Sequence, residues 1–311
     1  MGALERLGRT GLALVTAWSL GAAPAAAWTR PGHMVIAAIA FDDLEASDPA
    51  IVDRVVAVLD GHPDRGPFEV AEDRSEGRER ALRLMMECAR WPDDARLTSY
   101  DQPSWHLELK PVVRAGDPPA IPPDDRISMD GVEAFALNAR VMANRAATPA
   151  QRAMALCWVM HLAGDVHQPL HTAQLFSARY PDGDKAGSLQ FVIDPLTKRP
   201  ETLHWFWDDS LHRAGDVASV TARAKALERR LPRASVSPGA ARAADYGAWA
   251  NESRALAASH AYASGAVGGL SASQAKALAP GYAEGAAALA EERAAIAGYR
   301  LSDLLREAFA K

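Results

Sequence analysis

Residues 148–171 read TPAQRAMALCWVMHLAGDVHQPLH. Thr148 and Gln151 have the spacing of a capping box, and a proline stands between them at the first helical position. The mixture of Ala, Leu, Met, Trp and Val that follows favours a long buried helix. The stretch therefore predicts a helix over residues 149–167, which Pro169 ends or kinks.

The second half of this stretch carries three histidines and an aspartate. His161 and Asp165 are four residues apart, as are His167 and His171. In a helix this spacing places both side chains of a pair on one face. Polar rings buried in an otherwise apolar helix need compensation, which a bound metal ion such as zinc supplies. The pattern predicts a metal site.

Most of the remaining chain has helical periodicity and few of the β-branched runs typical of strands, so we expect one all-α domain. Proline-rich residues 117–123 and residues 180–200 are predicted to be surface loops around a substrate cleft. One short strand is predicted at residues 191–193. The other helices are predicted near residues 34–45, 49–59, 76–90, 131–143, 204–212, 219–230, 246–263 and 281–309.

Composition limits the classes of function. The chain has 311 residues, of which 49% are hydrophobic, and a formal net charge of −5. Such a charge argues against broad electrostatic binding to nucleic acid. Any polyanionic substrate must therefore be bound mainly through the charge of metal ions.

Residues 1–27 have the pattern of a secretory signal peptide. Two arginines precede an apolar stretch at residues 11–20, and small residues follow up to Ala27. The apolar stretch is shorter than the ~20 residues that a membrane-spanning helix needs. We expect cleavage before Trp28, a mature domain of residues 28–311, and a secreted or periplasmic protein without stable membrane association.

The two cysteines, Cys88 and Cys157, could form one disulfide or none in an exported protein, and the sequence leaves this open. They do not form a Cys-x-x-Cys pair. A zinc site with thiolate ligands is therefore not expected.

Four further segments carry residue types that bind zinc. Each lies beside a tryptophan, and the last again has its His and Asp four residues apart. They are Trp28 to His33, Trp91 to Asp94, Trp105–His106, and His204 to Asp208. Because zinc usually takes about four ligands, this number of residues predicts more than one ion.

The order of these segments resembles that of the S1/P1 nuclease family, with bacterial zinc-dependent phospholipase C as a more distant relation. The resemblance spans nearly the whole chain after residue 27 and includes later signatures at residues 249–253 and 298–301. It implies a multi-helix domain with three zinc ions and no protein partner. It also implies hydrolysis of single-stranded DNA and RNA to 5′-phosphate products, and removal of phosphate from 3′-nucleotides.

The resemblance also implies the ligands of the three zinc ions. One ion would be held by the α-amino nitrogen and carbonyl oxygen of Trp28 and by His33, and Asp165 would bridge it to the second ion. The other ligands of the second ion would be Asp93, His106 and His161. The ligands of the third ion would be His171, His204 and Asp208.

For catalysis we expect Asp93 and Asp165 to act as metal-binding carboxylates, because adjacent zinc ions activate water and clamp phosphate oxygens. Arg96 either offsets charge on the phosphorane or is a surface arginine. Asp94 could replace Asp93, which has the Trp-x-Asp spacing of the family. His167 is expected to support the ligands rather than bind metal. His62, His212 and His260 are expected at the surface or in the core, and Trp105, Trp205 and Trp207 are expected to pack around the zinc centre.

One segment departs from the family pattern. Family members commonly have Asp-x-Gly-Gly-Asn where residues 184–188 here read Asp-Lys-Ala-Gly-Ser. Loss of the asparagine amide leaves two alternatives open. One is a phospholipase C, although that family usually has Glu at the position of Asp208. The other is an exported zinc-binding protein without catalytic activity.

Overall fold

A computed structural model describes residues 28–72, 75–113, 116–117, 129–236, 245–262 and 267–310. The predicted signal peptide and residues 118–123 of the proline-rich segment lie outside the described residues. The described chain is mostly helical, which confirms the all-α class. Its helices are α1 (Arg30–Ser47), α2 (Pro49–Leu59), α3 (Gly66–Glu72), α4 (Gly77–Asp94), α5 (Gly131–Ala143), α6 (Pro149–Asp165), α7 (Leu203–Asp208), α8 (Val217–Arg230), α9 (Arg233–Val236), α10 (Tyr246–Leu256) and α11 (Tyr282–Phe309).

In the described residues, five short strands form two small sheets. A parallel pair joins β1 (Lys110–Val113) to β2 (Ala173–Phe176). The second sheet has the order β4 (Pro200–Thr202), β3 (Phe191–Ile193) and β5 (Lys276–Ala277). The prediction of β3 is confirmed. The other four strands were not predicted, because two to four residues are too few to show an alternating pattern.

The capping box of α6 is confirmed. The Gln151 N–H donates to Thr148 Oγ1 at 3.2 Å, and the Thr148 N–H donates to Gln151 Oε1 at 2.9 Å. The helix ends earlier than predicted, at Asp165, because the His167 N–H bonds three residues back to the Gly164 carbonyl at 3.0 Å. A separate 3₁₀ turn, Pro169–Thr172, then carries the next predicted ligand.

Two other helices end earlier than predicted. The helix expected to run to residue 212 ends at Asp208, and the one expected over residues 246–263 changes to a π-helical turn at Ala257–Ala261. Two helices of seven and four residues, α3 and α9, were not predicted, since neither is long enough to show a 3.6-residue period.

Helix α1 lies at the centre of the packing, against α4, α8 and α11. Gly298 of α11 lies on Ile39 of α1: a Cβ at position 298 would lie 2.6 Å from the Ile39 Cβ. Cys88 of α4 and Cys157 of α6 form a disulfide, with their Cα atoms 4.7 Å apart. The disulfide joins α4 to α6, α1 packs against both, and Gly164 at the end of α6 lies against His33 in the first turn of α1. None of the described helices combines the length and the apolar character needed to cross a membrane.

Candidate metal centre

Three groups of buried histidines and aspartates come together where these helix ends meet. Within each group the ligand atoms lie within 4.8 Å of one another. All eight predicted side-chain ligands belong to the groups. The groups are His33 with His161 and Asp165, Asp93 with His106 and His161, and His171 with His204 and Asp208.

Each ligand side chain is placed by the end of a short or long helix. His33 lies in the first turn of α1, and Asp93 in the last turn of α4. His161 and Asp165 project from one face at the end of α6, as their spacing predicted. The remaining three-residue group and His106 come from α7 and from the 3₁₀ turns Pro103–His106 and Pro169–Thr172.

Asp165 is the link between two groups of histidines. Its Oδ1 lies 3.2 Å from Nε2 of His33. Its Oδ2 lies 3.1 Å from Nδ1 of His106 and 3.2 Å from Nε2 of His161. Because the two oxygens face different histidines, this carboxylate has the geometry to bridge two cations.

Backbone carbonyl groups orient three of the histidines. The Nδ1 atoms of His161, His171 and His204 each lie 2.8 Å from a carbonyl oxygen, those of Ala89, His106 and Ala186 respectively. A carbonyl only accepts, so Nδ1 carries the proton in each ring. The lone pair of each neutral ring is then on Nε2, the atom that faces Asp165 or Asp208.

The electrostatics favour neutral rings at His33, His106 and His171 and an ionised Asp165. Burial lowers the pKa of His33 and of His171, and lowers that of His106 to about 4. Burial alone would raise the pKa of Asp165, but His161, His106 and His33 outweigh burial and hold this pKa well below its usual value. Two ligands shift the other way: Asp165 and Asp93 outweigh burial and raise the pKa of His161, and burial raises the pKa of Asp208 well above its usual value. Unprotonated imidazole nitrogen and ionised carboxylate oxygen are the donor set that zinc prefers in proteins.

Several polar atoms of these groups are buried without a hydrogen-bond partner in the described part of the chain. An unsatisfied buried polar atom costs about 1–3 kcal/mol, so a cluster of them at one point fits bound cations better than a core of protein atoms alone. The residues present therefore fit metal ions. The atoms are both ring nitrogens of His33, Asp93 Oδ2, His106 Nε2, Asp165 Oδ1, His171 Nε2 and Asp208 Oδ2.

Trp28 lies beside the first group. Its side chain is fully buried, and its indole N–H donates to the Gly164 carbonyl at 3.0 Å. The next residue, Thr29, donates its N–H to the Asp208 carbonyl at 3.2 Å. The backbone at Trp28 is thus held between the ends of α6 and α7, next to the helix that carries His33.

The structure gives Arg96, Asp93 and Asp94 different partners. Arg96 lies on Asp93, with its Nη2 3.0 Å and its Nε 3.2 Å from Asp93 Oδ1. Asp94 is outside the metal groups and forms ion pairs with Arg30 and with Arg90, the latter at 2.7 Å. Of the two candidates, only Asp93 has a carboxylate directed at the histidines.

His167 is also outside the groups. Its Nδ1 donates to the Ala163 carbonyl at 2.7 Å, and its Nε2 accepts from Arg300 Nη1 at 3.0 Å. Arg300 in turn donates to both carboxylate oxygens of Glu252, at 2.8 and 2.9 Å. The two later sequence signatures therefore meet under the end of α6, where Ser253 also donates to the Val166 carbonyl at 2.5 Å.

The three histidines outside any motif also lie outside the metal groups. His62 is buried between Phe68 and Trp91, and burial lowers its pKa to about 4. His260 is exposed and His212 is half-buried. Their positions agree with the expectation that they are surface or core residues.

Sequence reasoning missed Gln168. This residue is buried, and its side-chain amide donates to Asp208 Oδ1 at 2.6 Å. It also missed the role of the unusual segment at residues 184–188. Ala186 adopts a left-handed φ of 58°, and its carbonyl holds the His204 ring. Neither contact can be seen as a local pattern in the sequence. Ala186 and His204 are 18 positions apart, and Gln168 and Asp208 are 40 positions apart.

We predicted that three tryptophans pack around the zinc centre, and this holds for Trp105 and Trp207 but not for Trp205. Trp105 packs edge-on against Trp158, with ring centroids 4.8 Å apart, and the buried Trp207 donates to the Tyr282 hydroxyl at 3.0 Å. For Trp205 the prediction was wrong, because 43% of this residue is exposed. It lies about 100° around α7 from His204, so it lines the cavity beside Asp93 and does not pack among the ligands.

Gly164 is predicted to be essential for the position of His33. A Cβ at position 164 would lie 2.8 Å from Nδ1 and 3.0 Å from Cε1 of that ring. Although alanine is the better helix former, Gly164→Ala should displace the ring and lower zinc affinity at the first site by roughly 10- to 100-fold. Competition with a chelator measures this. Gly285→Ala, whose Cβ would meet nothing within 4 Å, is the matched control, and equal zinc affinity in the two variants would refute the prediction.

Comparison with known proteins agrees with this arrangement. The chain matches the family model described as S1/P1 Nuclease over residues 28–310. A comparison with curated proteins finds no match. Because the family match begins at Trp28 and covers nearly all of the chain, the protein belongs to the S1/P1 nuclease family and is a hydrolase of the nuclease type, which acts on phosphodiester bonds.

Proposed function

We propose that this protein is an exported, zinc-dependent phosphoesterase. It hydrolyses single-stranded DNA and RNA to products with 5′-phosphates, and it removes the phosphate of 3′-nucleotides. The observation that carries the proposal is the position of Asp165, whose two oxygens face two histidine groups. The third group is adjacent to them, because its His171 contacts the backbone of His106.

The proposed ligands fill three sites. Trp28 and His33 hold the first ion and Asp165 is shared with the second. The second also takes Asp93, His106 and His161, and the third takes His171, His204 and Asp208. In support, the family match starts at Trp28, and removal of residues 1–27 would free the α-amino group of Trp28 for coordination.

When bound, zinc ions supply an activated water and positive charge for the phosphate oxygens. The protein residues fix the geometry. Carbonyl groups hold the imidazole rings in one tautomer, and Gln168 fixes Asp208 through a 2.6 Å hydrogen bond. Arg96 lies on Asp93 and lines the cavity beside the centre, where its remaining N–H groups can donate to a phosphate oxygen.

Export is supported by two observations. Cys88 and Cys157 form a disulfide, a bond that persists mainly in oxidising compartments. The candidate signal peptide ends immediately before the start of the family match. Secretion or passage to a periplasm would place the enzyme where it meets nucleic acid outside the cytoplasm.

The test is a substrate comparison with the zinc-loaded chain of residues 28–311. We expect cleavage of single-stranded DNA and RNA to 5′-phosphorylated ends, release of phosphate from a 3′-nucleotide and little reaction with the 5′ isomer. Asp165→Asn, purified in parallel, controls for contaminating nuclease. Hydrolysis of phosphatidylcholine alone would replace the proposal by a phospholipase C function. Absence of turnover on every phosphoester would indicate a zinc-binding protein without catalysis.

A further inference from the structure

A cavity of about 350 Å³ opens directly beside the candidate metal centre. One of its walls is Asp93, the proposed ligand, and Arg96 lies next to it. Its lining also includes Trp205 from α7 and Pro31 from the start of α1. A group in this cavity would therefore be adjacent to a phosphodiester held at the metal centre.

Trp205 is the exposed tryptophan of the described chain, whereas its neighbours on α7 are buried. Its backbone is fixed, because its N–H donates to Thr202 Oγ1 at 3.1 Å and because His204 and Asp208 of the same helix lie in the metal centre. At 43% exposure, Trp205 keeps a large apolar surface in contact with solvent in the free protein. A rigid aromatic side chain at the edge of a site is instead typical of a binding surface.

The charged groups of the cavity are already paired. Each of its three arginines has a carboxylate partner within the protein, so the cavity has no set of uncompensated cations for a second phosphate. A quaternary ammonium ligand stacked on the indole is also disfavoured, because it would lie beside three arginines. The pairs are Arg96 with Asp93 at 3.0 Å, Arg213 with Asp209 at 2.7 Å, and Arg30 with Asp94.

We infer that Trp205 stacks on a nucleobase of the substrate, next to the phosphodiester that is cleaved. This inference rests on the proposed function and names a base-binding residue for it. A nucleobase is flat and uncharged, so its face can stack on the indole. Its edge is polar and can form hydrogen bonds with the hydroxyl of Thr29 and with the arginine and aspartate groups of the cavity. Stacking tolerates every base, which agrees with a nuclease that is selective for unpaired strands.

The expected effect is on binding. Loss of base stacking on alanine substitution lowers affinity by roughly 5- to 100-fold, so Trp205→Ala should raise KM by this factor on oligothymidylate and leave kcat nearly unchanged. Trp205→Phe, which keeps an aromatic face, should stay within about threefold of wild type. Leu270→Ala, which removes another exposed apolar side chain outside the cavity, is the matched control and should have no effect.

The decisive comparison uses an oligomer of the same length in which the residues beside the cleaved bond are abasic. Trp205→Ala should differ from wild type on oligothymidylate and equal it on the abasic oligomer. Equal losses on both substrates would overturn the inference, since Trp205 would then act only through the fold. Failure of the wild-type protein to cleave either oligomer would instead count against the proposed function.

A binding measurement distinguishes failure of the base-stacking inference from failure of the proposed function. Thymidine 5′-phosphate should quench the tryptophan fluorescence of the zinc-loaded wild-type protein, because Trp205 is accessible and the other described tryptophans are buried or half-buried. Trp205→Phe should lose most of this quenching but still bind the nucleotide in equilibrium dialysis. Equal quenching in both proteins, or none in the wild type at nucleotide saturation, would contradict base stacking even if no substrate is turned over.

Discussion

Asp165→Asn is expected to lower phosphodiesterase activity by more than about 100-fold and to reduce bound zinc from three ions to about one. The carboxylate is the shared element of two histidine groups, with His33 at 3.2 Å from one oxygen and His106 at 3.1 Å from the other. An asparagine keeps the size of the side chain but offers only one weakly coordinating oxygen. The site of His171, which does not depend on Asp165, should keep its ion.

This prediction is measured by metal analysis and by zinc-dependent thermal stabilisation. A ligand that binds only the folded protein raises its stability, so zinc should raise the melting temperature of the variant much less than that of wild type. Asp194→Asn is the matched control for metal binding: Asp194 is also buried, accepts N–H groups from its own loop and from Arg213, and belongs to no metal group. A variant Asp165→Asn that binds three ions would rule out the bridging role.

Residues added before Trp28 are expected to abolish one metal site and most of the activity. Trp28 is buried, and the neighbouring Thr29 N–H is bonded to the Asp208 carbonyl at 3.2 Å, so the backbone at Trp28 has no freedom to move away from the centre. A preceding residue converts the proposed amine ligand into an amide, which is not a zinc donor at neutral pH. The extended chain should hold about two zinc ions rather than three.

The comparison requires two otherwise identical proteins, one beginning exactly at Trp28 and one with two additional residues. Mass spectrometry fixes each N-terminus, and metal analysis and single-strand cleavage give the outcome. The same two residues added after Lys311 provide the control, which should behave as wild type. Three tightly bound ions in the N-terminally extended protein would exclude the α-amino group as a ligand.

Local spacing predicted much of the site because the geometry of a helix is the same in every protein. His161 with Asp165 and His204 with Asp208 are four residues apart and do share a helix face. The Thr148 cap likewise formed as its spacing indicated. The grouping of the segments around separate ions came from family resemblance instead, since spacing within one helix says nothing about which helices meet.

The contacts that sequence reasoning missed depend on tertiary structure. Gln168 reaches Asp208 only because a 3₁₀ turn and α7 pack together. Gly164 lies on His33, whose helix is far away along the chain. The exposure of Trp205 arises because no element of the described chain covers it, which a local pattern cannot reveal. The disulfide was left open for the same reason, because the pairing of Cys88 with Cys157 depends on how α4 and α6 pack.

We propose that three zinc ions bind to the three groups of buried histidines and aspartates. The most direct measurement is anomalous X-ray diffraction at the zinc edge from crystals of the protein that begins at Trp28. We expect three peaks: two flanking Asp165, and a third between His171, His204 and Asp208. A single peak, or peaks away from these side chains, would contradict the proposal.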